Sequence, residues 1–381
     1  MTVAVRLAAY YFAFFAHAGA YVSYFSLYLV GRGLAAHEIA FALAMPQVAR
    51  IVSPALWGWL ADTWGERYPG ARRAIVVFSG IAMLAGFGAI YFQHSAGAIA
   101  LTLLLISLFS AGAGPLVEAI TFSVIKGGIG QYGPIRLWGS VGFMLAVLGT
   151  GAWLDYHDTT SLIVIAIVLS GAICVVAPAL PAGPVIHVEH GGERLGAVLR
   201  RPAVLAFFGA CFCMTAAHGT MYVFYSIYLE QAGYSKTVIG VLWTLGVLAE
   251  ILLFLRLPQL LRRFSLRTVL LASFVCAVAR FPAMGWGVDV LWLLVAAQLL
   301  HAATFGAFHS GCVATVHRLF PGPLAARGQA LYSSIAYGLG GATGSLVAGA
   351  TWESLGATAS FAISALFALF GAVLVAWKVR V

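Results

Sequence analysis

Apolar residues run along this chain in long blocks separated by short polar turns. The blocks fall at about residues 7–30, 37–60, 72–92, 97–125, 134–154, 160–180, 203–229, 237–257, 267–286, 290–318, 328–350 and 357–377. An α-helix needs about 20 apolar residues to cross the hydrocarbon of a bilayer, and most blocks meet that length. A barrel strand would instead show about 10 alternating residues. The pattern predicts an all-α integral membrane protein of twelve transmembrane helices.

The polar stretches divide these helices. The longest, residues 181–202, is rich in proline, glycine and charge and lies between the sixth and seventh blocks. It predicts an N-terminal six-helix bundle over 1–180, a cytoplasmic linker over 181–202 and a C-terminal six-helix bundle over 203–381. The halves look related: Tyr24-Phe-Ser-Leu-Tyr-Leu-Val-Gly-Arg-Gly matches Phe224-Tyr-Ser-Ile-Tyr-Leu-Glu-Gln-Ala-Gly at an offset of 200. Ser26 then falls on Ser226, Tyr28 on Tyr228 and Gly33 on Gly233. Parallel six-helix repeats are an architecture of secondary transporters, with substrate held near mid-membrane.

Composition supports this picture and fixes an orientation. The 381 residues are 62% hydrophobic and 9% charged, far below the roughly 25% charge of a soluble domain. The net charge of +9 does not point to nucleic acid, because Lys and Arg recur in clusters between the apolar blocks. Fifteen of them, from Arg6 to Arg380, fall at the termini and in alternate loops, whereas the opposite loops hold only Arg32 and Lys236. By the positive-inside rule both termini are cytoplasmic; the expected location is a plasma membrane, the inner membrane of a bacterium. The lipid bilayer is a partner; nucleic acid is not, and a monomer is expected. Cys174, Cys211, Cys213, Cys276 and Cys312 lie in apolar runs without metal-ligand neighbours. Free buried thiols and no metal site are expected. No nucleotide-binding motif and no clustered nucleophile occurs, so the chain reads as no enzyme and as driven by an ion gradient.

Charges inside apolar blocks are the candidates for chemistry, since each costs about 2.5–3.5 kcal/mol on insertion scales unless it finds a partner or a cavity. Glu118 and Arg136 lie nine residues before and nine after Gly127. A hairpin turning at Gly127 and Gly128 brings them to similar depth, where they either pair structurally or hold substrate; Arg136 can grip a carboxylate through two parallel hydrogen bonds. Arg50 falls on Glu250 at the offset of 200, which makes Arg50 a candidate anion contact or structural partner and Glu250 a candidate for proton or substrate handling. His218, His301 and His309 can titrate near neutral pH, although a lone helix histidine more often only packs. Tyr21, Tyr24, Tyr28, Tyr222, Tyr225 and Tyr228 read mainly as packing or interface residues. Gly340 and Gly344 read as a close helix-packing face.

The loop Trp57-Gly-Trp-Leu-Ala-Asp-Thr-Trp-Gly-Glu-Arg, followed by Arg72 and Arg73, resembles the major facilitator superfamily signature G-x-L-A-D-x-x-G-R. The resemblance implies a conformational-switch loop of Gly58, Asp62, Gly65 and Arg67, in two pseudo-symmetric bundles that alternate access. The chain is most similar to the phenylpropionate permease branch, and more distantly to lactose permease and nucleoside:proton symporters. Tyr132-Gly-Pro-Ile-Arg-Leu-Trp-Gly-Ser-Val-Gly-Phe, with Glu118 eighteen residues before Arg136, carries that resemblance, as does Leu300-His-Ala-Ala-Thr-Phe-Gly-Ala-Phe-His-Ser-Gly.

The resemblance implies that Glu118 and Arg136 contact substrate and that His301 belongs to a proton-coupling site, while Glu250 matches an acidic residue of the eighth span in approximate register. Arg280 lies near that site's arginine, with one residue of spacing different. The carboxylate expected three residues after the histidine is Thr304 here, so that scheme does not carry over whole. The expected substrate contacts are Glu118, Arg136, Arg50, Arg280 and His218; the expected proton-coupling residues are Glu118, Glu250 and His301. No cofactor is expected beyond the proton as coupling ion. The expected function is proton symport of a small organic solute, an aromatic or other organic acid. A sugar or nucleoside is the alternative, and a non-transporting membrane sensor a remoter one.

Overall fold

The computed structural model describes residues 2–65, 68, 70–124, 132–182 and 195–379. The expected turn at Gly127 and Gly128, most of the 181–202 linker, and Arg67 lie outside the described residues. Among those described there is no strand, and eleven continuous helical stretches are long and apolar enough to cross a membrane. The last, Ala325–Lys378, has 54 residues, roughly 80 Å at 1.5 Å per residue and more than twice the hydrocarbon thickness. It breaks at Gly356, whose φ of 83° and ψ of 171° are not helical. Two spans result there, twelve in all among the described residues.

The repeat read from the sequence recurs in backbone detail. Val3–Gly31 and Pro202–Gln231, the first and seventh spans, both end in a glycine in the left-handed region, Gly33 at φ 80° and Gly233 at φ 87°. A side chain at either would be strained. Each glycine amide donates to the residue three earlier, Val30 or Glu230, at 2.8 and 2.9 Å; the next amide reaches Leu29 or Leu229 at 3.2 and 3.1 Å. These are paired helix-ending bonds of the Schellman type. The tyrosines five residues before these glycines follow suit: Tyr28 Oη donates to the Ile90 carbonyl at 3.5 Å and Tyr228 Oη to Gly285 at 2.8 Å. Tyr24, Tyr28 and Tyr225 are fully buried, so these tyrosines pack rather than line a membrane surface.

Chain contacts gather the residues into two compact units. One contains 1–35, 48–187 and 235–241; the other contains 36–47, 188–234 and 242–381. Within the first unit, Gly19 of the first span and Gly142 of Tyr132–Leu154 meet the backbone of the facing helix: an added Cβ would lie 2.7 Å from the Phe143 carbonyl or 2.3 Å from that of Phe12. In the second unit Gly219, which falls on Gly19 at the same offset, packs against Gly344, and Gly340 against Phe212. Close backbone approach through small residues is how helices associate without a hydrophobic driving force. The Gly340 and Gly344 face is therefore a packing surface.

Two helix starts borrow acids from other helices in the same unit. Asp155, just past Tyr132–Leu154, accepts from the first amides of Lys236–Arg263, Lys236 at 2.6 Å and Thr237 at 3.1 Å, while Ser235 takes Val238 at 3.3 Å. In the second unit Glu353 accepts from the Ala36 amide at 2.7 Å and meets His37 Nδ1 at 3.2 Å. Both acids serve orphan helix-start amides and the positive end of a helix dipole.

The slight burial of Asp155 raises its pKa more than any single partner lowers it. The Thr237 hydroxyl, the Thr237 and Lys236 amides and the Lys236 charge together outweigh that, and the net value is lowered. A lowered folded pKa means a stabilisation complete above the ordinary aspartate value near 4 and lost as pH falls through the folded value. Asp155→Ala is expected to cost about 1 kcal/mol, the size of a helix cap. Thermal unfolding of wild type and variant should differ at neutral pH and converge in acid; a gap independent of pH would remove the carboxylate from the explanation.

Several spans are broken, and the breaks fall at polar candidates. The second span stops at Ala49 and resumes at Ser53, leaving Arg50 between the pieces. The fourth breaks between Ser110 and Ala113, one and a half turns before Glu118. The seventh breaks at His218. The tenth passes through a π-helical stretch at Ala302–Ala307 directly after His301, and the eleventh through another at Ser333–Gly340. Wide π turns inside α-helices concentrate at functional positions, and broken membrane helices are tolerated where backbone is buried in protein or lines a water-filled cavity.

Candidate functional site

In the first unit the site is built on the first span and on the helices Ala113–Val124 and Tyr132–Leu154. Arg136 sits one turn into the latter with its guanidinium carbon 4.0 Å from the centre of the Phe15 ring and 5.5 Å from that of Tyr11. Of the two uses read for Glu118 and Arg136, a structural ion pair is not made here: among the described residues no salt bridge joins them. Instead Glu118 Oε1 accepts from the Tyr132 hydroxyl at 3.3 Å. Tyr11 Oη bonds Thr121 Oγ1 at 3.2 Å, and the Tyr132 ring stacks on Phe122 at 4.6 Å. A guanidinium on aromatic faces and a carboxylate held by a phenol are both left able to take a ligand's polar atoms.

Gly139 makes room for this arrangement. A Cβ there would lie 2.8 Å from Arg136 Nη1 and 2.9 Å from the Phe15 ring. The atoms in the way are the flexible end of Arg136 and the edge of the Phe15 ring, so Gly139→Ala is expected to displace both and to part the guanidinium from its ring. Losing about 1 kcal/mol of cation–π orientation should raise the transport KM about five-fold. An unchanged KM would separate the position of Arg136 from substrate affinity.

In the second unit Arg280, fully buried, has five N–H donors, and each meets an acceptor. Nε donates to the Ala297 carbonyl at 2.9 Å; Nη1 reaches Thr304 Oγ1 at 2.9 Å and His218 Nε2 at 3.3 Å. Nη2 reaches Met221 Sδ at 3.0 Å and Gln298 Oε1 at 3.4 Å. An arginine only donates, so His218 Nε2 must accept. Its Nδ1, 2.8 Å from the Met214 carbonyl, must then carry the proton. His218 is a neutral brace with both nitrogens occupied. In this conformation the two expected substrate contacts Arg280 and His218 hold each other, and neither presents an open polar atom.

Beside this network His301 Nε2 lies 2.9 Å from Glu250 Oε1, with both side chains largely buried. His301 Nδ1 is buried without a partner. A proton on Nδ1 would therefore be unsatisfied, which favours a neutral imidazole donating Nε2–H to the carboxylate. Gly246 and Gly306 let the helices approach here: added Cβ atoms would stand 3.2 Å from His301 Cδ2 and 3.4 Å from Glu250 Cγ. Glu250 also lies within electrostatic reach of Arg280. His301 stacks on Phe305 at 5.4 Å and Phe305 on His309 at 6.3 Å; His309 Nδ1 bonds the Tyr337 and Tyr332 hydroxyls at 2.9 and 3.1 Å.

Arg50 belongs to the first unit, exposed at the break in its span and within electrostatic reach of Tyr21. Gly58, Asp62 and Gly65 lie on the helix Ser53–Gly65. The sequence reading missed Phe15, Tyr11, Tyr132, Gln298 and Gly139; the aromatic-rich start of the first span was the available signal for the first two. All five cysteines are free, three buried and Cys174 and Cys276 part-exposed, and the described residues contain no metal-binding cluster.

Comparison with known proteins agrees with this architecture. The chain is 32% identical over 357 residues to the probable 3-phenylpropionic acid transporter of Escherichia coli (strain K12), covering 92% of this chain and 91% of the relative. It is 26% identical over 350 residues to the maltose permease of Geobacillus stearothermophilus, covering 89% and 85%. A crystal structure of the nucleoside transporter NupG superposes with a TM-score of 0.81 at 19% identity over 98% of each chain, which establishes the shared fold. Residues 4–363 match the MFS_1 like family. The chain belongs to that family and is a secondary transporter of the major facilitator fold, embedded in the membrane.

Proposed function

We propose that the protein is a proton symporter of a small organic anion, with an aromatic carboxylate as the favoured solute. The observation that carries this is Arg136: a guanidinium resting on the Phe15 and Tyr11 rings with no carboxylate paired to it among the described residues. An aromatic acid offers both a carboxylate for bidentate bonding and a ring for the same aromatic cluster. The relative named as a probable 3-phenylpropionic acid transporter supports the reading.

Glu250 and His301 are the proposed proton site. Protonating Glu250 removes a negative charge near Arg280, so one proton changes the electrostatic balance of a buried network and biases alternating access. Arg50 and Glu118 are proposed as further solute contacts, with Glu118 a second carboxylate that takes a proton. Asp62 and its neighbours are proposed as the conformational switch. The protein is proposed to act without cofactor, catalysis or metal, as a monomer, with both termini in the cytoplasm of a bacterial cell. A sugar or nucleoside is the second reading, favoured by the Glu118 carboxylate beside the Tyr132 hydroxyl, a pair suited to solute hydroxyls.

Solute-induced proton movement in proteoliposomes tests these readings, with phenylpropionate-like acids, sugars and nucleosides as solutes and Glu118→Gln and Arg136→Lys beside wild type. Aromatic acids are expected to move protons in wild type and not with Arg136→Lys. Proton movement driven by sugars or nucleosides alone would replace the first reading by the second. Full activity of both variants would remove the pair from the site.

A further inference from the structure

Arg32 has no part in the proposed transport cycle, yet it is held in place. It caps the first span, and its Nη2 donates to the Gln93 carbonyl and lies 3.0 Å from His94 Nδ1. Its guanidinium carbon stands 5.9 Å from the Tyr28 ring centre. The turn carrying these acceptors is itself fixed: the Gln93 side chain exchanges hydrogen bonds with Thr102 at 2.8 and 3.2 Å, and Ser95 caps the following helix at 3.2 Å.

Every partner of this guanidinium is neutral. Among the described residues no carboxylate forms an ion pair with Arg32. Asp158 is instead engaged with the Thr160 amide and hydroxyl at 2.8 and 2.6 Å. Since Arg32 can only donate, His94 Nδ1 accepts from it, and in the neutral ring the proton sits on Nε2. His94 Nε2–H and Arg32 Nη1 are two donors without a partner among the described residues.

Both side chains line a cavity of about 340 Å³, together with Tyr28, Tyr91, Phe92 and Thr160. Tyr91 and Phe92 end the apolar third span, and the two residues are 49% and 78% exposed. Aromatic rings at such a position sit where hydrocarbon meets headgroups, and an apolar ring at the mouth of a cationic cavity adds nothing for a freely dissolved anion. Basic pockets between membrane helices on the cytoplasmic side take lipid headgroups, and Arg32 with His94 offers the same donor chemistry to the opposite leaflet.

We propose that this cavity is a binding site for the phosphodiester of an anionic phospholipid, with Arg32 and His94 on the phosphate oxygens and Tyr91 and Phe92 against the glycerol and first acyl carbons. The site belongs wholly to the first unit and is separate from the Glu118 and Arg136 cluster.

The test is native mass spectrometry and thermal unfolding of the full chain in detergent with phosphatidylglycerol, phosphatidylcholine or inorganic phosphate. Wild type is expected to retain phosphatidylglycerol and unfold at a higher temperature with it, and to gain little from phosphatidylcholine. Arg32→Gln should weaken phosphatidylglycerol retention about ten-fold, the loss of one charge-assisted contact; His94→Ala, which leaves Arg32 in place, should weaken it less. Equal retention of the two lipids, or full retention by a folded Arg32→Gln, would overturn the proposal. A shift reproduced by inorganic phosphate alone would overturn the lipid as its source. If Arg32→Gln does not fold, undiminished retention by His94→Ala overturns the site and reduced retention supports it.

Discussion

Arg280→Met is expected to abolish transport and to lower the stability of the full chain by about 3 kcal/mol, the scale of disrupting a buried hydrogen-bond network. Methionine matches the length and much of the volume of arginine, so the loss is not chiefly a cavity. It comes from the acceptors left behind. Gln298 Oε1 and the Ala297 carbonyl lose a charged donor, and His218 Nε2 loses the bond that sets its tautomer. Arg280→Lys keeps the charge but has three donors on a point-like head, against five in a planar fork. It should fold better than Met and still transport poorly. Thermal unfolding with solute counterflow reads both outcomes. A Met variant with wild-type stability would show that the network is held by its helices and not by Arg280.

The apolar pattern carried the spans and the repeat into view because hydropathy and helix-ending glycines act locally. Gly33 and Gly233 were visible as a match at fixed offset, and both prove to be left-handed caps. The breaks were less legible, since hydropathy does not report backbone hydrogen-bond register. Pro46 and the Ser53-Pro54 pair stand beside the interruption at Arg50 and were a signal left unused, but nothing in the residues around His301 marks the π-helical turn that follows it.

The candidate site was half visible for a related reason. Spacing placed Glu118 and Arg136 at like depth, but spacing cannot choose partners. Tyr132 takes the carboxylate and Phe15 the guanidinium, and Phe15 is 121 positions from Arg136 in the chain. Thr304, where the related permeases suggested a carboxylate, takes its place as a neutral acceptor for Arg280. The anionic charge near that arginine falls to Glu250 on another helix.

Glu250→Gln is therefore expected to separate exchange from accumulation. Glutamine keeps the size of the side chain and an oxygen for His301 Nε2–H, so the contact at 2.9 Å survives, but it cannot take up or release a proton. Counterflow of solute across proteoliposomes, which needs no net proton movement, should remain within about two-fold of wild type. Uphill accumulation driven by a pH gradient should fall at least about ten-fold, because a factor of ten in gradient corresponds to about 1.4 kcal/mol per proton and an uncoupled carrier recovers none of it. His301→Gln distinguishes the members of the pair: if the carboxylate alone carries the proton, accumulation should persist in part, since Glu250 still titrates without its donor. Accumulation retained in Glu250→Gln would move the proton to Glu118. Loss of counterflow and accumulation together would make Glu250 a strut of the Arg280 network, because a residue needed only for coupling leaves downhill exchange intact.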